Sequence, residues 1–312
     1  MPISVGVGPL ARIDGPLPLP PVYGLLPSAE APAAGVRILP DLDELGVPRW
    51  ANGAQVHDYP VGQGGAIEAA CALGSDYARN KTDDAPLKLP TFASMIAYLR
   101  ETCSTYKVWS QDEYISRAKI AYAAVESAIV AREFMSGWGM PDSPHLADGN
   151  GSFPNGDTAT SVINGLALLE QVIALSGKLG IVHCSPTVAT TMRDRFAIDE
   201  RGGVLRTING NVVIPDYGYC RVAEQTPTGH PAATGTQEWI FCTGAVDVRR
   251  AEIFVIPEEV GQAVQRGTGG ATTSPALPNS VSYQVERYYL VDWDTQVQGA
   301  VRVDRCFTTC TS

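Results

Sequence analysis

The sequence predicts an α+β fold, and three observations predict it. The first fifty residues hold ten of the 23 prolines and few charges, a composition that runs extended because proline fixes φ and removes a donor. One long amphipathic helix is written across residues 111–136. The later half is a series of apolar, β-branched runs separated by Gly- and Pro-containing turns, so runs of helix precede runs of strand.

Taken in order, residues 1–50 form an arm. "DGPLPLPPVYGLLPSAEAP" has neither helical nor strand period and is too apolar for a solvated linker, so it needs a surface to lie against. Residues 51–90, with Asn52-Gly53, Gly62–Gly65 and "SDYARNKTDDAP", are an excursion too long for a simple connection in a compact domain. They read as a two-stranded loop with a polar tip near 80–84. "TFASMIAYLRETC" places Phe92, Met95, Ile96 and Leu99 at helical spacing and predicts a helix. Ser110 and Glu113 make a capping box for the spine helix, whose stripe is Ile115, Ala118, Tyr122, Val125 and Ile129, with Gly137 as its stop. At about 1.5 Å per residue the helix spans roughly 39 Å.

A second helix follows, with Val162, Ile163, Leu166, Leu169, Val172 and Ile173 on its face and Gly177 at its end. A strand at 179–184 runs into a short helix that starts with Ser185 as N-cap and Pro186 behind it. Asn209-Gly210 between two β-rich runs predicts a hairpin with a type I′ turn. "EWIFCTGAVDVRRAEIFVIP" predicts two or three strands, and Glu258-Glu259 after Pro257 suits a helix N-terminus. Residues 266–279 read as a loop, and "YQVERYYLVDWD" with "VQGAVRVDRC" as a final strand pair. No internal repeat is present.

Composition and motifs exclude more than they assign. With 45% hydrophobic and 18% charged residues the chain can bury a sizeable core. A net charge of −10 without a basic cluster argues against gripping nucleic acid, which demands Lys and Arg at phosphates. Seven cysteines (71, 103, 184, 220, 242, 306, 310) without CxxC spacing are no disulfide framework and imply a reducing cytoplasm. No segment is a membrane span or a secretory signal. His183 and Cys184 are adjacent, but neighbours in a strand point to opposite faces and cannot form a nucleophile–base pair. They read as a packed imidazole and a buried thiol. Cys306 and Cys310 lack a second ligand pair, and Asp83 and Asp84 lack EF-hand spacing. P-loop and nucleophile-elbow patterns are absent. The expectation is a protein that is not an enzyme, binds no cofactor or metal, and works through surfaces.

Four segments in order, "KLGIVHCSPTVATTM", "GGVLRTINGNVVIPDYGY", "EWIFCTGAVDVRRAEIFVIP" and "QVERYYLVDWDTQVQGAVRVD", resemble the major capsid proteins of tailed phages that infect actinobacteria, which have the Hong Kong 97-type capsid fold. The resemblance covers about residues 90–305 and rests on the order of the four segments. It implies an N-terminal arm (1–50), an extended loop (51–90), a peripheral domain (91–179 and 266–312) holding the spine helix, and an axial domain (180–265). It implies self-assembly into hexamers and pentamers of an icosahedral head around double-stranded DNA, with weak non-specific DNA contact. The protein would then reside in the virion capsid and assemble in the host cytoplasm. A portal is a further partner, and a decoration protein one that the family admits. No long charged helical segment opens the chain, so a separate scaffolding protein is expected. The candidates for subunit contact are Pro20, Pro21, Tyr23, Leu25 and Trp50 of the arm and Arg79, Lys81, Asp83, Asp84 and Lys88 of the loop. Some relatives join a loop lysine to a neighbour's asparagine; Lys81 sits at that kind of loop tip and Lys88 is close by, but exposed or salt-bridged lysines are the expected reading of both. The rival within the fold is an encapsulin-like compartment; the rival from another class is a cysteine hydrolase using Cys184.

Overall fold

The computed structural model describes residues 19–30, 35–39, 48–56, 90–104, 110–220, 224–258 and 280–305. The spine helix, here α2 (Gln111–Ser136), follows the short α1 (Leu25–Ala29). Its start is the expected capping box: Glu113 N–H donates to Ser110 Oγ while Ser110 N–H donates to Glu113 Oε2 at 2.6 Å. Gly137 ends it with φ 57, a left-handed conformation that glycine adopts without steric cost.

Two sheets meet around this helix. The first is five-stranded. Its long central strand β13 (Ser280–Trp293) pairs along one side with β4 (Met95–Ser104), and along the other with β12 (Phe254–Glu258) and β11 (Val246–Arg250) end to end. β1 (Val36–Leu39) extends it in parallel from β11. The second sheet is seven-stranded. Its order is β5 (Thr160–Ser161), β14 (Gln298–Asp304), β10 (Gln237–Thr243), β6 (Ile181–Cys184), β9 (Val212–Pro215), β8 (Val204–Thr207) and β7 (Ile198–Arg201). One face packs under α3 (Val162–Leu175) and α4 (Pro186–Asp194), burying Leu166, Leu169 and Ile173 against Val182, Ile240 and Val301. The other face joins the core of α2 and the first sheet through Ile214, Trp239 and Phe241.

Several elements depart from the sequence reading. "TFASMIAYLRETC" is not a helix. Phe92 lies in β3 (Thr91–Phe92) and the part from Met95 onward is β4, with Met95 and Ala97 buried and Ile96 and Tyr98 exposed. The apolar residues fit both periods, and ten paired residues on β13 decide for the strand. On α2 the buried stripe is Ala118, Tyr122, Glu126, Ser127, Val130, Ala131, Phe134 and Met135, while Val125 faces out. Two polar residues take buried places because partners await them. On α3, Ile163 is likewise exposed. The Asn209-Gly210 hairpin exists, but its loop is Ile208–Gly210. Gly210 N–H donates to Thr207 O, and Gly210 has φ 91 while Asn209 does not have positive φ. That is a type I turn followed by a left-handed glycine rather than type I′. Pro257 and Glu258 are the last residues of a strand, and proline is tolerated there because β12 is an edge; Glu259 lies outside the described residues. The final strands β13 and β14 are both present but belong to different sheets, because β14 finds its partners in β10 and β5. The segment 180–265 contributes to both sheets, β11 and β12 joining the first.

The excursion begins and ends at one place. β2 (Ala54–Gln55) pairs with β3, and Val56 N–H donates to Pro90 O at 3.1 Å. Phe92 is buried edge-on against Trp293 at 4.8 Å. The loop tip, residues 266–279 and the C-terminal cysteines 306 and 310 lie outside the described residues.

A one-turn 3-10 helix (Tyr217–Cys220) crosses α2 at Gly218, where a Cβ would lie 2.5 Å from Ala128 O and 2.6 Å from Arg132 N. Both are helix backbone and cannot yield. Gly218→Ala is expected to lower stability by about 1–3 kcal/mol in urea unfolding, a typical cost of overpacking; an unchanged midpoint would contradict this contact.

Candidate functional site

The residues with chemical potential sit at the junction of β6 and α4. Ser185 caps α4, accepting from Val188 N–H, and donates its own proton to Glu238 Oε1 at 2.6 Å. His183 and Cys184 are both buried, on opposite sides of the sheet as strand geometry requires. His183 faces α2, edge-on to Phe134 at 5.1 Å. Its Nε2 lies 2.9 Å from Thr243 Oγ1, and that hydroxyl donates to Gly244 O, so Nε2 carries the proton. Nδ1 then accepts from the Tyr219 hydroxyl at 3.2 Å. Burial pushes the imidazole down to about 3. Cys184 packs beneath α3 and α4 with Val188 and Met192, and burial, then the charge of Glu238, pushes its thiol up. Both ring nitrogens are therefore engaged away from the thiol, and the thiol is held protonated.

The other chemical candidates are fewer still. Asp83 and Asp84 fall outside the described residues, among which no three His, Cys, Asp or Glu side chains converge on a metal position. No helix among them is long and apolar enough to cross a membrane. A cavity of about 20 Å³, lined by Met95, Phe134, Met140 and Trp293, has room for about one water.

The arm residues divide. Pro20 is exposed, Pro21 and Tyr23 are half-buried, and Tyr23 donates to Glu200 Oε2 at 2.9 Å. Leu25 and Trp50, named from sequence as contact residues, are instead buried within the subunit's own core. The cause for Leu25 is a clamp: Asp216 Oδ2 accepts from Leu25 N–H at 2.8 Å and from Ser127 Oγ at 2.9 Å, and Oδ1 accepts from Gly218 N–H. Burial raises the Asp216 carboxyl above its ordinary value despite these bonds. Arg79, Lys81, Asp83, Asp84 and Lys88 lie outside the described residues.

A surface that sequence reasoning missed is the outer face of the five-stranded sheet. Register puts Ile96 beside Tyr288, and sets Glu286 between Tyr98 and Phe254 and Gln284 between Arg100 and Ile256. Ile96 is 45% exposed, Tyr98 58%, and Phe254 and Ile256 43% each. Phe254 meets Tyr288 edge-on at 6.3 Å. The inner face, with Val285 and Tyr289, is buried under α2. The outer face thus sets exposed apolar side chains among Arg100, Gln284 and Glu286, while α2 covers the inner one. The signal was present in "MIAYL" and "IFVIP" as unbroken apolar runs, but a helical reading of the first concealed it.

No protein-family model matches the chain, and no curated protein matches it. Solved structures do. The SrpI encapsulin of Synechococcus elongatus PCC 7942 superposes with a TM-score of 0.50 at 11% identity, over 96% of this chain and 94% of that one. The capsid of Ralstonia phage GP4 superposes with a TM-score of 0.50 at 10% identity, over 97% and 98%. The chain has the Hong Kong 97-type α+β fold that the sequence resemblance implied.

Between about pH 3 and the ordinary histidine value of 6.5, the unfolded chain binds a proton at His183 and the folded one does not, so acid favours unfolding there. The buried carboxyls of Asp216, Glu238 and Asp292, all raised mainly by burial, act with the opposite sign, so a difference is needed. Relative to His183→Gln, the wild type is expected to lose up to about 1.4 kcal/mol per pH unit as pH falls through this window. Parallel stability–pH curves for the two proteins would refute the assignment.

Proposed function

We propose, on the premise of this fold, that the chain is the shell-forming subunit of an icosahedral particle, namely the major capsid protein of a tailed phage, acting by assembly rather than catalysis. The observation that carries this reading is the open outer face of the five-stranded sheet, with Ile96, Tyr98, Phe254 and Ile256 exposed on it. At roughly 200 Å² for a large side chain, the exposed fractions of Ile96, Tyr98, Phe254 and Ile256 amount to about 400 Å², set among Arg100, Gln284 and Glu286. That is about half of what each partner contributes to a standard stable interface, about 800 Å². One such contact is marginal alone, which suits a subunit held by several neighbours at once. The net charge of −10 fits a wall that confines DNA without gripping it. Pro20, Pro21 and Tyr23 remain the proposed contact residues of the arm, and the subunit would pass from host cytoplasm to virion with a separate scaffold and a portal.

The superposition on an encapsulin favours a second reading, a compartment that encloses protein cargo. The two differ in content, not in wall. Expressed alone and with a candidate scaffold, the chain is expected to give closed shells, or rings of five or six, in size-exclusion chromatography and negative-stain microscopy. A folded monomer under both conditions would sink both readings; protein cargo without nucleic acid in particles isolated from the native host would decide for the compartment.

The double substitution Tyr98→Lys, Phe254→Lys places two charges on the open face. It is expected to abolish particles while leaving the circular dichroism of the subunit and its melting temperature within about 2 °C, since exposed positions change stability little. Particles of normal yield would remove this face from the assembly.

A further inference from the structure

Helix α4 ends in a way that disfavours the residue found there. Ala197 N–H donates to Met192 O at 2.9 Å and Phe196 N–H to Arg193 O at 3.0 Å, the paired bonds of a Schellman cap, whose turning residue is usually glycine. Here it is Phe196, with φ 56, the one non-glycine with positive φ among the described residues. A bulky side chain in the left-handed region is strained. Phe196 is also 92% exposed, so packing inside the subunit does not offset that strain.

The surroundings indicate what could offset it. Arg193, Asp194 and Arg195 precede the phenylalanine, and Asp199, Glu200 and Arg201 follow it on β7, the terminal strand of its sheet. Arg195 and Asp194 are loosely paired at 4.0 Å, Arg201 and Asp199 at 3.8 Å, all four well exposed. The hydroxyl of Tyr23 on Glu200 brings the arm to this corner, where Val22 is 81% and Leu19 88% exposed.

We propose that Phe196 is the apolar knob of a contact with a second copy of this chain, flanked by arginines and carboxylates that exchange partners across it. The proposal rests on the shell reading and adds a contact distinct from the open sheet face. The occupant follows from charge. Two copies of net charge −10 repel least where that charge is cancelled locally, and this corner carries three arginines balanced by three carboxylates. The same carboxylates oppose a phosphate backbone, which argues against nucleic acid. A knob meeting a different surface on the next copy is a heterologous contact, the kind that closes rings.

Phe196→Gly and Phe196→Asn separate the knob from the fold, because both residues tolerate the left-handed conformation. Both variants are expected to melt as high as the wild-type subunit or higher, glycine by about 2 °C. Their critical concentration for assembly is expected to rise at least about tenfold, while Phe196→Tyr assembles as the wild type does. A melting temperature lowered by glycine would show that the ring packs within its own subunit and overturn the proposal. Wild-type assembly by the Gly and Asn variants would overturn it too and leave the shell reading intact. Unchanged assembly with weaker DNA retention would assign the corner to nucleic acid, and a loss confined to mixtures with scaffold would assign it to that protein; either overturns it. A wild-type chain monomeric under every condition would overturn the contact and the shell reading together.

Discussion

Glu126 and Ser127 are adjacent, polar and buried on one face of a helix that otherwise buries apolar side chains, and the rest of the structure is arranged around satisfying them. An unpaired buried polar group costs about 1–3 kcal/mol, so each residue dictates a neighbour. Glu126 accepts from the Tyr289 hydroxyl and from Arg287 at 2.9 Å, which fixes β13 against the helix. Ser127 donates to Asp216, which holds Leu25 and Gly218 in turn. One helical step therefore ties the first sheet, the second sheet and the entry of the arm to a common axis. The same two residues explain why the apolar stripe drawn from sequence was displaced by a position: hydropathy alone assigns them to water.

Local signals were legible where a local rule suffices. The capping box at Ser110, the glycine stop at Gly137 and the Ser185-Pro186 helix start depend on a few neighbouring residues, and each lies where the sequence put it. Partner choice was not legible. Whether "TFASMIAYLRETC" is helix or strand is settled by β13, nearly two hundred residues away, and so is the separation of β13 from β14. Phe196 escaped notice for a related reason. Composition shows an aromatic, but only the backbone shows that it occupies a glycine position. The order of four segments supplied the fold class that no single motif carried.

The molecule places its chemistry and its exposed apolar surface in different regions. His183 and Cys184 are locked in separate cores, with ring nitrogens bonded and thiol protonated. The outer sheet face and the α4 corner are where apolar groups meet water at a cost that burial by another molecule would reverse. Both surfaces stand on rigid elements, a long strand and a capped helix, and so are presented in fixed positions.

The short β2–β3 ladder joins the two points at which the chain leaves and re-enters the described fold around residues 57–89. Its two rungs and the bond from Val56 to Pro90 close the chain before the excursion departs, and Phe92 and Trp50 anchor that closure in the core. Lengthening a loop that is already closed costs only about 0.6 kcal/mol for each doubling. A change in the length of the stretch between 57 and 89 therefore adds little closure cost, because its two ends are already held together by the subunit's core.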